Sequence, residues 1–591
     1  MNKILIVFTA LLFASHVSFS QIHSSFAESA LKKHIQYLAS DKLKGRKSGS
    51  PEALKAAGYI RKQFKNQHLE LLFDNGFQYF DVVTAYHMGK NNTFKTAELT
   101  AKAGTDFIPL VFSADTSVSA DVFFAGYGFD IQTDKFKWND YADVDVKGKI
   151  VVLFNGEPDL KERNNPFSEF SSDNYKAMVA ADKGAAGVIF IYPASEKKED
   201  FLPPLVFSKT NSRSKIPVIQ ISRSFASRAL FTQNQSLEMI ESSILEKKSP
   251  MSFDLEKNVS LSTEVITSQG KTCNVAAILK GSGPLLKDEY IVIGAHYDHL
   301  GMGGPGSGSR FPDTIAVHNG ADDNASGVAA MIELAGKLSK NRSVLKRSVI
   351  FVAFTGEESG LLGSSKFVAS CPVPLSRIKA MINMDMVGRL DTISKYLLIG
   401  GTGTARENDS LFSIFEKEYS FDFKKSPEGL GPSDHASFYA NNIPVIFITT
   451  GAHNDYHTWA DDEDKINYKG MTNLLEFVEE LATSYANLPQ ITFQEAGPKT
   501  KSSSGSYKVT LGILPDFSAS DVKGLKVQSV RSGGPAQLSG MRNGDVITAV
   551  NGAEVNNIYD YMNRLKSLHP GDQITVDVVR DGTRITLFVQ L

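Results

Sequence analysis

The spacing of apolar and polar residues changes several times along the chain. Near the start, "SPEALKAAGYIRKQF" carries apolar residues at helical spacing behind a Ser-Pro start, which predicts an amphipathic helix. From about 108 to 254, apolar runs such as "ADVFFAGYG", "GKIVVLF" and "AAGVIFIYP" are separated by glycine and polar turns. This second pattern predicts a β-rich segment of short strands.

From about 260 to 490, predicted strands alternate with predicted helices. The strand-like runs are "EYIVIGAHYDHLG", "SVIFVAFTGEE", "AMINMDMVG" and "IPVIFITTG", and the helical ones are "SGVAAMIELAGKLSK" and "MTNLLEFVEELATSYA". This alternation predicts an α/β fold with a mostly parallel central sheet and helices on both faces. The last 85 or so residues return to short strands with one helix, "IYDYMNRLKSL".

The length of 591 residues is too great for a single core and predicts three or four domains. A run rich in serine, glycine and lysine, "GPKTKSSSGS", predicts a flexible linker before the last domain. The predicted division is a signal peptide at 1–20, the first part of the main domain at 21–107, an inserted domain at 108–254, the remainder of the main domain at 255–490, a linker at 491–506 and a C-terminal domain at 507–591.

The N-terminus has the pattern of a secretory signal peptide. Lys3 precedes an apolar core at 4–14, and small residues precede a cleavage site before Gln21. We therefore expect an exported chain, periplasmic or extracellular. The rest of the sequence has no second long apolar run, so no membrane span is expected in the mature chain.

Composition adds few constraints. The chain is 42% hydrophobic and 22% charged with a net charge of −2, which is ordinary for a globular protein and gives no reason to expect a nucleic-acid partner. Only two cysteines occur, Cys273 and Cys371, so a thiolate metal site is excluded. Whether these two cysteines form a disulfide is open at this point.

Each predicted strand of the alternating region ends in residues that can bind metal. These residues are His296 and Asp298, Asp322 and Asp323, Glu357 and Glu358, Asp385, and His457. Ligands gather at the carboxyl ends of the strands in such sheets, so we expect these side chains to converge. Histidines and carboxylates without cysteine suit Zn²⁺, with Mn²⁺ or Co²⁺ as alternatives. Cations would also offset the repulsion between adjacent glutamates.

Six short motifs in this region resemble one known family. "GAHYDHLG", "NGADDNASG", "TGEESGLLGS", "NMDMVG", "SDHASF" and "DYHTWADD", in this order, resemble the co-catalytic di-zinc exopeptidases, which include bacterial secreted aminopeptidases and glutamate carboxypeptidase II. The resemblance covers 24–105 and 255–490. It implies two Zn²⁺ per chain, one held by His296, Asp323 and Asp385 and the other by Asp323, Glu358 and His457, with Asp323 bridging.

The resemblance also implies a mechanism. Glu357 matches the general base for a metal-activated water, Asp298 the acid that orients a histidine ligand through its other nitrogen, and Tyr456 a donor to the developing oxyanion. The implied function is a secreted exopeptidase that removes N-terminal residues from peptides. The alternatives are a carboxypeptidase or dipeptidase, for which Arg389 is a candidate carboxylate-binding group, and an inactive peptidase-like binding protein acting through its C-terminal domain.

The two remaining domains carry resemblances of their own. "WNDYADVDVKGKIVVLF" and "KAMVAADKGAAGVIFIY" resemble a protease-associated domain. "VTLGILPDF" and "SVRSGGPAQLSGMRNGDVITAVNG" resemble a PDZ domain, which implies capture of a peptide C-terminus or a protein ligand, with a purely structural cap as the alternative.

Several other polar residues near the motifs are interpreted as supporting groups. His299 and His318 are expected to lie in loops or to support ligands rather than to bind metal. The glycine-rich run at 301–310 is expected to be a loop rather than a phosphate cradle. Ser433, Asp434 and His435 are expected to give structural support beside the pocket and not to form a serine nucleophile.

Overall fold

The computed structural model of the protein describes most of the chain. The described residues are 26–132, 136–158, 165–168, 170–194, 200–206, 213–497, 509–515, 522–531, 533–566 and 568–591. The signal peptide predicted at 1–20 and the linker residues 498–506 lie outside them. Within these ranges, no helix combines the length and the apolar character that a membrane crossing requires.

The helices cluster in the main domain and in the inserted segment. The α-helices are Glu28–Leu38, Pro51–Asn66, Asp173–Asp182, Arg223–Ala229, Leu237–Lys247, Gly327–Lys340, Leu362–Ala369, Asn408–Glu418, His435–Tyr439, Tyr468–Asn487, Pro535–Leu538 and Ile558–Lys566. Short 3₁₀ turns occupy Asp41–Arg46, Gln233–Gln235, Arg342–Val344, Leu375–Arg377 and Glu463–Lys465, and Ala321–Ser326 form a π-helical turn. The predicted helix after Ser50 is confirmed: the Ser50 hydroxyl accepts a hydrogen bond from the Ala53 N–H and so caps its first turn.

The main sheet is mixed. Its strands run, in spatial order, Glu70–Leu71, Val265–Leu279, Ser348–Phe354, Tyr290–His296, Ile378–Met384, Val445–Thr449, Tyr396–Gly400 and Asp422–Lys425, with Phe77–Met88 also paired to Val265–Leu279. The four strands from Ser348–Phe354 to Val445–Thr449 are mutually parallel. Antiparallel strands flank this parallel centre. The parallel part is therefore the centre of the sheet, where the candidate ligands lie.

Helices cover both faces of this sheet, which confirms the predicted α/β class. Phe351 and Ile293 point to one face and pack with the helices that contain Ile60, Met331 and Leu475. On the other face, buried residues of the same strands pack against the helices Leu362–Ala369 and His435–Tyr439. Because the parallel strands are buried on both faces, their sequences are continuously apolar rather than alternating. Fully burying one such phenylalanine side chain contributes about 1.5–3 kcal/mol.

The inserted segment forms a second sheet with its own core. The strand order is Thr93–Thr96, Ser252–Ser262, Ser117–Ala125, Ile150–Phe154, Gly187–Ile191, Val218–Ile221 and Phe107–Pro109, and a small separate hairpin pairs Asp130–Gln132 with Lys137–Asn139. The four strands from Ser117–Ala125 to Val218–Ile221 are parallel. The sheet includes residues on both sides of the boundaries predicted at 108 and 254.

The C-terminal segment forms an antiparallel sheet with a separate core. Its strands are Ile513–Pro515, Leu525–Val530, Val546–Val550, Gln573–Arg580 and Thr583–Gln590, with Ala553–Glu554 paired to Val546–Val550. The predicted helix in "IYDYMNRLKSL" is observed at Ile558–Lys566. Tyr561 and Leu565 from this helix are buried in the core of this segment.

The C-terminal helix also contacts the inserted segment. Arg564 forms a bidentate ion pair with Asp182, with 2.9 Å between its Nη2 and Asp182 Oδ1. Lys566 Nζ lies 4.8 Å from the ring centroid of Phe170, and Lys215 pairs with Glu554. These contacts are polar and few, as between domains that fold separately.

The question of a disulfide is settled by the fold. Cys273 is buried in the main sheet, Cys371 is partly buried, and both thiols are free. Burial raises the pKa of the Cys273 thiol to about 12, which keeps it protonated and unreactive at neutral pH.

Candidate metal centre

The parallel strands bring the candidate ligands to one edge of the main sheet. His296 is the last residue of its strand and aligns with Phe354 of the neighbouring strand. Phe354 precedes Glu357 by three residues. Asp385 directly follows the strand Ile378–Met384 on the other side. Parallel pairing in register therefore places these residues beside one another, as the sequence predicted.

Asp323 reaches the same edge from a tight turn. It lies in the π-helical turn Ala321–Ser326, directly before the helix Gly327–Lys340. The backbone N–H groups of Asp322 and Asp323 both donate to Asp461 Oδ2, at 2.9 and 3.0 Å. Arg389 donates to the other Asp461 oxygen at 2.8 Å. This hydrogen-bond network fixes the position of the turn that carries Asp323.

The predicted ligands form two groups that share Asp323. In the first group, His296 Nε2 lies 3.3 Å from Asp323 Oδ1 and 3.3 Å from Asp385 Oδ1. In the second, His457 Nε2 lies 3.3 Å from Asp323 Oδ2 and 3.3 Å from Glu358 Oε2. Each oxygen of the Asp323 carboxylate thus faces a different group, as expected of a bridging carboxylate.

These spacings fit a pair of metal ions. Two ligand atoms at about 2.0–2.1 Å from one tetrahedral Zn²⁺ are separated by about 3.3 Å. The histidines also have suitable tautomers, because His296 Nδ1 lies 3.2 Å from the backbone carbonyl of Asp298 and His457 Nδ1 lies 3.1 Å from that of Gly308. Each Nδ1–H donates to a carbonyl, so each Nε2 lone pair is free to bind a cation.

His299 is a second histidine close to the second group. Its Nδ1 lies 2.9 Å from Glu358 Oε1 and 3.7 Å from Asp323 Oδ2, so these three residues could also hold an ion. The 2.9 Å distance is that of a direct hydrogen bond, and it involves the Glu358 oxygen that does not face His457. This geometry agrees better with the predicted supporting role, in which His299 orients the Glu358 carboxylate.

The three residues assigned to catalysis lie around the two groups. Asp298 is fully buried, and its Oδ1 accepts a 3.3 Å hydrogen bond from the Glu357 N–H. Its carboxylate is 3.8 Å from His296 Nδ1, so the backbone carbonyl of Asp298, and not the carboxylate, is the nearer partner of that ring. Tyr456 stacks on His457 with 3.9 Å between ring centroids.

The electrostatics of the groups favour cations. Burial lowers the pKa of His457, but Asp323 and Glu358 outweigh it and raise that pKa to about 10. Burial raises the pKa of Glu358, and so does Asp323, yet His299 and His457 bring it down to about 2. Burial raises the pKa of Glu357 well above its ordinary value, and that of Asp298 to about 6. Positive charge between these carboxylates is stabilised, and metal ions can replace the protons of the histidines.

Two residues without an assigned role in the sequence analysis support the site. Arg46 is fully buried and donates to the backbone carbonyls of Tyr297 at 2.6 Å and Gly320 at 2.7 Å, so it joins the His296 strand to the Asp323 turn. Burial lowers its pKa to about 10, which still leaves it charged at neutral pH. Asp461, described above, is the second. Asp461 belongs to "DYHTWADD", one of the motifs quoted for the resemblance, and Arg46 lies in "LKGRKSGS", directly before the predicted helix.

Three of the remaining candidates, His318, Ser433 and Arg389, have structural partners. His318 Nε2 lies 2.9 Å from the Ser309 hydroxyl, which belongs to the glycine-rich run, and its Nδ1 lies 3.0 Å from the Ala316 carbonyl. The Ser433 hydroxyl accepts a hydrogen bond from Asn383 Nδ2 at 2.8 Å. Arg389, the candidate carboxylate-binding group, is already paired with Asp461 and Asp455.

Sequence comparisons match three segments of the chain to known families. Residues 274–482 match peptidase family M28, residues 108–229 match the PA domain and residues 499–591 match the PDZ domain. A probable leucine aminopeptidase of Arthroderma otae is 28% identical over 233 residues, which are 37% of this chain and 59% of that protein. The uncharacterized protein YfbL of Escherichia coli is 30% identical over 228 residues, 33% of this chain and 65% of that protein. The chain thus spans between half and two thirds of the length of these relatives.

Solved structures are also similar to this chain. An aminopeptidase from Aneurinibacillus sp. strain AM-1 has a TM-score of 0.49 at 23% identity, over 80% of this chain and 96% of that one. Each of the three matches falls in a different one of the segments that have their own cores. The chain therefore contains a peptidase domain of family M28, together with a PA domain and a PDZ domain.

Proposed function

We propose that the chain is a zinc-dependent aminopeptidase that binds two metal ions. The observation that carries this proposal is the sharing of Asp323 between the two groups, with one carboxylate oxygen 3.3 Å from each histidine Nε2. His296, Asp323 and Asp385 would hold one ion, and Asp323, Glu358 and His457 the other. Ions bound there would lower the pKa of a water toward neutrality and polarise the scissile carbonyl.

Residues of the chain itself would transfer the proton of the attacking water and orient the reacting groups. Glu357 accepts the proton of the attacking water and passes it to the leaving amine. The Tyr456 hydroxyl donates a hydrogen bond to the oxyanion that develops on the scissile carbonyl. Asp298 connects these functions, because its backbone carbonyl orients His296 and its carboxylate accepts the Glu357 N–H.

Two observations favour an aminopeptidase over a carboxypeptidase. Arg389 is engaged by Asp461 and Asp455, so it is not available for the C-terminal carboxylate of a peptide. The site is also rich in carboxylates, which can hold a substrate ammonium group. The relatives named leucine aminopeptidase agree with this choice. The intact ligand set and Glu357 speak against an inactive binding protein.

A free substrate amine should be required. We expect cleavage of an unblocked peptide such as Leu-Gly-Gly and at least a hundredfold lower kcat/KM for its N-acetylated form, because acetylation removes the positive charge. Both rates are measured with the same enzyme preparation in added Zn²⁺. Equal cleavage of the two peptides would reject the aminopeptidase assignment and favour the carboxypeptidase alternative.

Substitutions of the adjacent glutamates should have different effects, and each serves as the control for the other. Glu357→Gln removes the base and should lower kcat by about 10²–10⁴-fold while both metal ions stay bound. Glu358→Gln removes a ligand and should reduce the bound metal toward one ion per chain. Metal analysis of the purified variants decides between them, and a Glu357 variant that loses metal beside a Glu358 variant that keeps two ions would reverse the assignment.

We propose that residues 1–20 direct export, because their pattern is that of a signal peptide. Expressed in a bacterium with an outer membrane, the full chain should appear in the periplasm or the medium with Gln21 as its first residue. Fractionation and N-terminal sequencing measure this. An intact N-terminus on cytoplasmic protein would show that this segment is not a signal.

The PDZ domain is proposed to capture peptide C-termini. Because it has its own core and all proposed ligands precede residue 460, deletion of 505–591 should leave hydrolysis of a single-residue chromogenic substrate within about twofold of the full chain. A ten-residue peptide should lose more, since a second contact raises its effective concentration. The Arg564→Ala variant, which keeps the domain but removes the ion pair to Asp182, is the control for its docking.

If the deletion abolishes hydrolysis of the small substrate, the domain supports the catalytic fold instead. Equal losses for the small substrate and the ten-residue peptide would contradict a role of the domain in substrate capture.

A further inference from the structure

Exposed apolar side chains gather next to the candidate metal centre. Among the described residues, fifteen large hydrophobic side chains are exposed. Three of them, Met302, Phe311 and Ile315, lie on the loop 297–320, which contains the glycine-rich run, and a fourth, Trp459, lies just after His457. Phe311 is 48% exposed and Trp459 is 39% exposed. Single exposed apolar residues need no explanation, but a cluster at the edge of a functional site indicates a binding surface.

Phe311 and Trp459 form a pair, here called the rim pair. Their ring centroids are 5.0 Å apart with an angle of 55° between the planes. Such a tilted contact is favourable between aromatic rings and keeps both rings in place, although each retains exposed surface. The pair therefore presents a preformed apolar surface to an incoming side chain.

Three hydrogen bonds to backbone carbonyls fix the rim pair relative to the proposed ligand His457. The N–H of Arg310, which precedes Phe311, donates to the His457 carbonyl at 3.0 Å, and the Arg310 guanidinium donates to the Asn454 carbonyl at 2.8 Å. The carbonyl of Gly308 accepts from His457 Nδ1 at 3.1 Å. Trp459 follows His457 by two residues. The loop thus both orients the ligand and carries half of the rim pair.

The position of the rim pair indicates which part of a peptide it meets. His296 is 1% exposed and Asp323 is 3% exposed, so the reacting bond must enter a buried site. An enzyme that removes the first residue must leave the rest of the peptide outside, toward solvent. Exposed groups beside the ligands therefore face the portion of the substrate that follows the scissile bond.

We propose that Phe311 and Trp459 bind the apolar side chain of the residue that follows the scissile bond, an inference that rests on the aminopeptidase function proposed above. The rim pair then selects peptides whose second residue is large and apolar. Burying such a side chain against two rings transfers apolar area out of water on both surfaces. Peptides whose second residue is small or polar gain no such contact with the rim pair.

The first test compares Leu-Phe-Gly with Leu-Gly-Gly in the wild type and in Phe311→Ala, Trp459→Ala and Ile393→Ala. The wild type should have the higher kcat/KM for Leu-Phe-Gly, and either rim substitution should lower the ratio of the two kcat/KM values by roughly tenfold. Ile393, 91% exposed on a separate loop, is the matched control and should leave the ratio unchanged. Metal analysis verifies that both rim variants retain the ions of the wild type.

The second test does not depend on turnover. Trp138 and Trp459 are the two tryptophans of the chain, and Trp138 is buried, so Trp138→Phe makes Trp459 the sole reporter. In the Trp138→Phe/Glu357→Gln variant, Leu-Phe-Gly should shift the Trp459 emission to shorter wavelength and bind more tightly than Leu-Gly-Gly. If the wild type hydrolyses neither peptide, the proposed function fails, whereas the fluorescence titration still decides the present inference.

Three results would overturn the inference. One is a ratio of kcat/KM values that both rim variants leave unchanged while they keep their metal. Another is identical fluorescence responses to the two peptides. The third is a change of oligomeric state, measured by light scattering, in both rim variants with no change in the ratio, which would make a second copy of the chain the occupant of this surface.

Discussion

The candidate metal centre depends on one carboxylate, that of Asp323, which is shared between two histidines. Asp323 places its two oxygens at equal distances of 3.3 Å from His296 Nε2 and His457 Nε2. Carboxylates at such close quarters repel one another, and five others lie near Asp323: Asp298 and Asp434, which are buried, and Glu357, Glu358 and Asp385, which are partly buried. Bound cations, or protons on some of these groups, would offset such a concentration of negative charge. Asp461 and Arg46 hold the turn that carries Asp323, so supporting residues of both charges serve this single group.

The fold produces this convergence through parallel strands of equal length. Residues after three neighbouring strands lie at one sheet edge, and Asp323 and His457 reach that edge from loops. The rigid sheet positions His296, Glu358 and Asp385, whereas His457 depends on the loop carbonyl of Gly308. That loop also carries Phe311, so the proposed orientation of a ligand and the proposed selection of substrate share one segment. A substitution in this loop can therefore alter metal binding and peptide preference together.

The PA and PDZ domains add surfaces, and none of their described residues contributes to the candidate metal centre. Each has a separate apolar core, and the contacts between them include the ion pairs of Asp182 and Glu554 and the contacts of Lys566 with the rings of Phe170 and Tyr175. Partly exposed ion pairs of this kind contribute little stability each and are weakened by salt.

Much of the fold and most of the candidate site were predictable from local patterns. Continuous apolar runs identified the strands of the parallel centre, and the Ser50 cap marked a helix start. The residues after those strands were recognisable as candidate ligands because histidine and carboxylate side chains are costly at such positions without a cation. Helical and strand periods are properties of short segments, so they can be read without knowledge of the rest of the chain.

Other features were decided only by tertiary contacts. The separation of Cys273 from Cys371, the pairing of Arg389 with Asp461 and the contact of His299 with Glu358 each join residues distant in sequence, and no local pattern specifies their distance. The mixed order of the main sheet likewise follows from which strands pair across long connections. Local sequence patterns were enough to predict which residues could bind metal and where the strands and helices form. Which nitrogen of each histidine is free and which aromatic rings lie beside the candidate ligands depend on packing between segments that are remote along the chain, so neither could be predicted from local patterns.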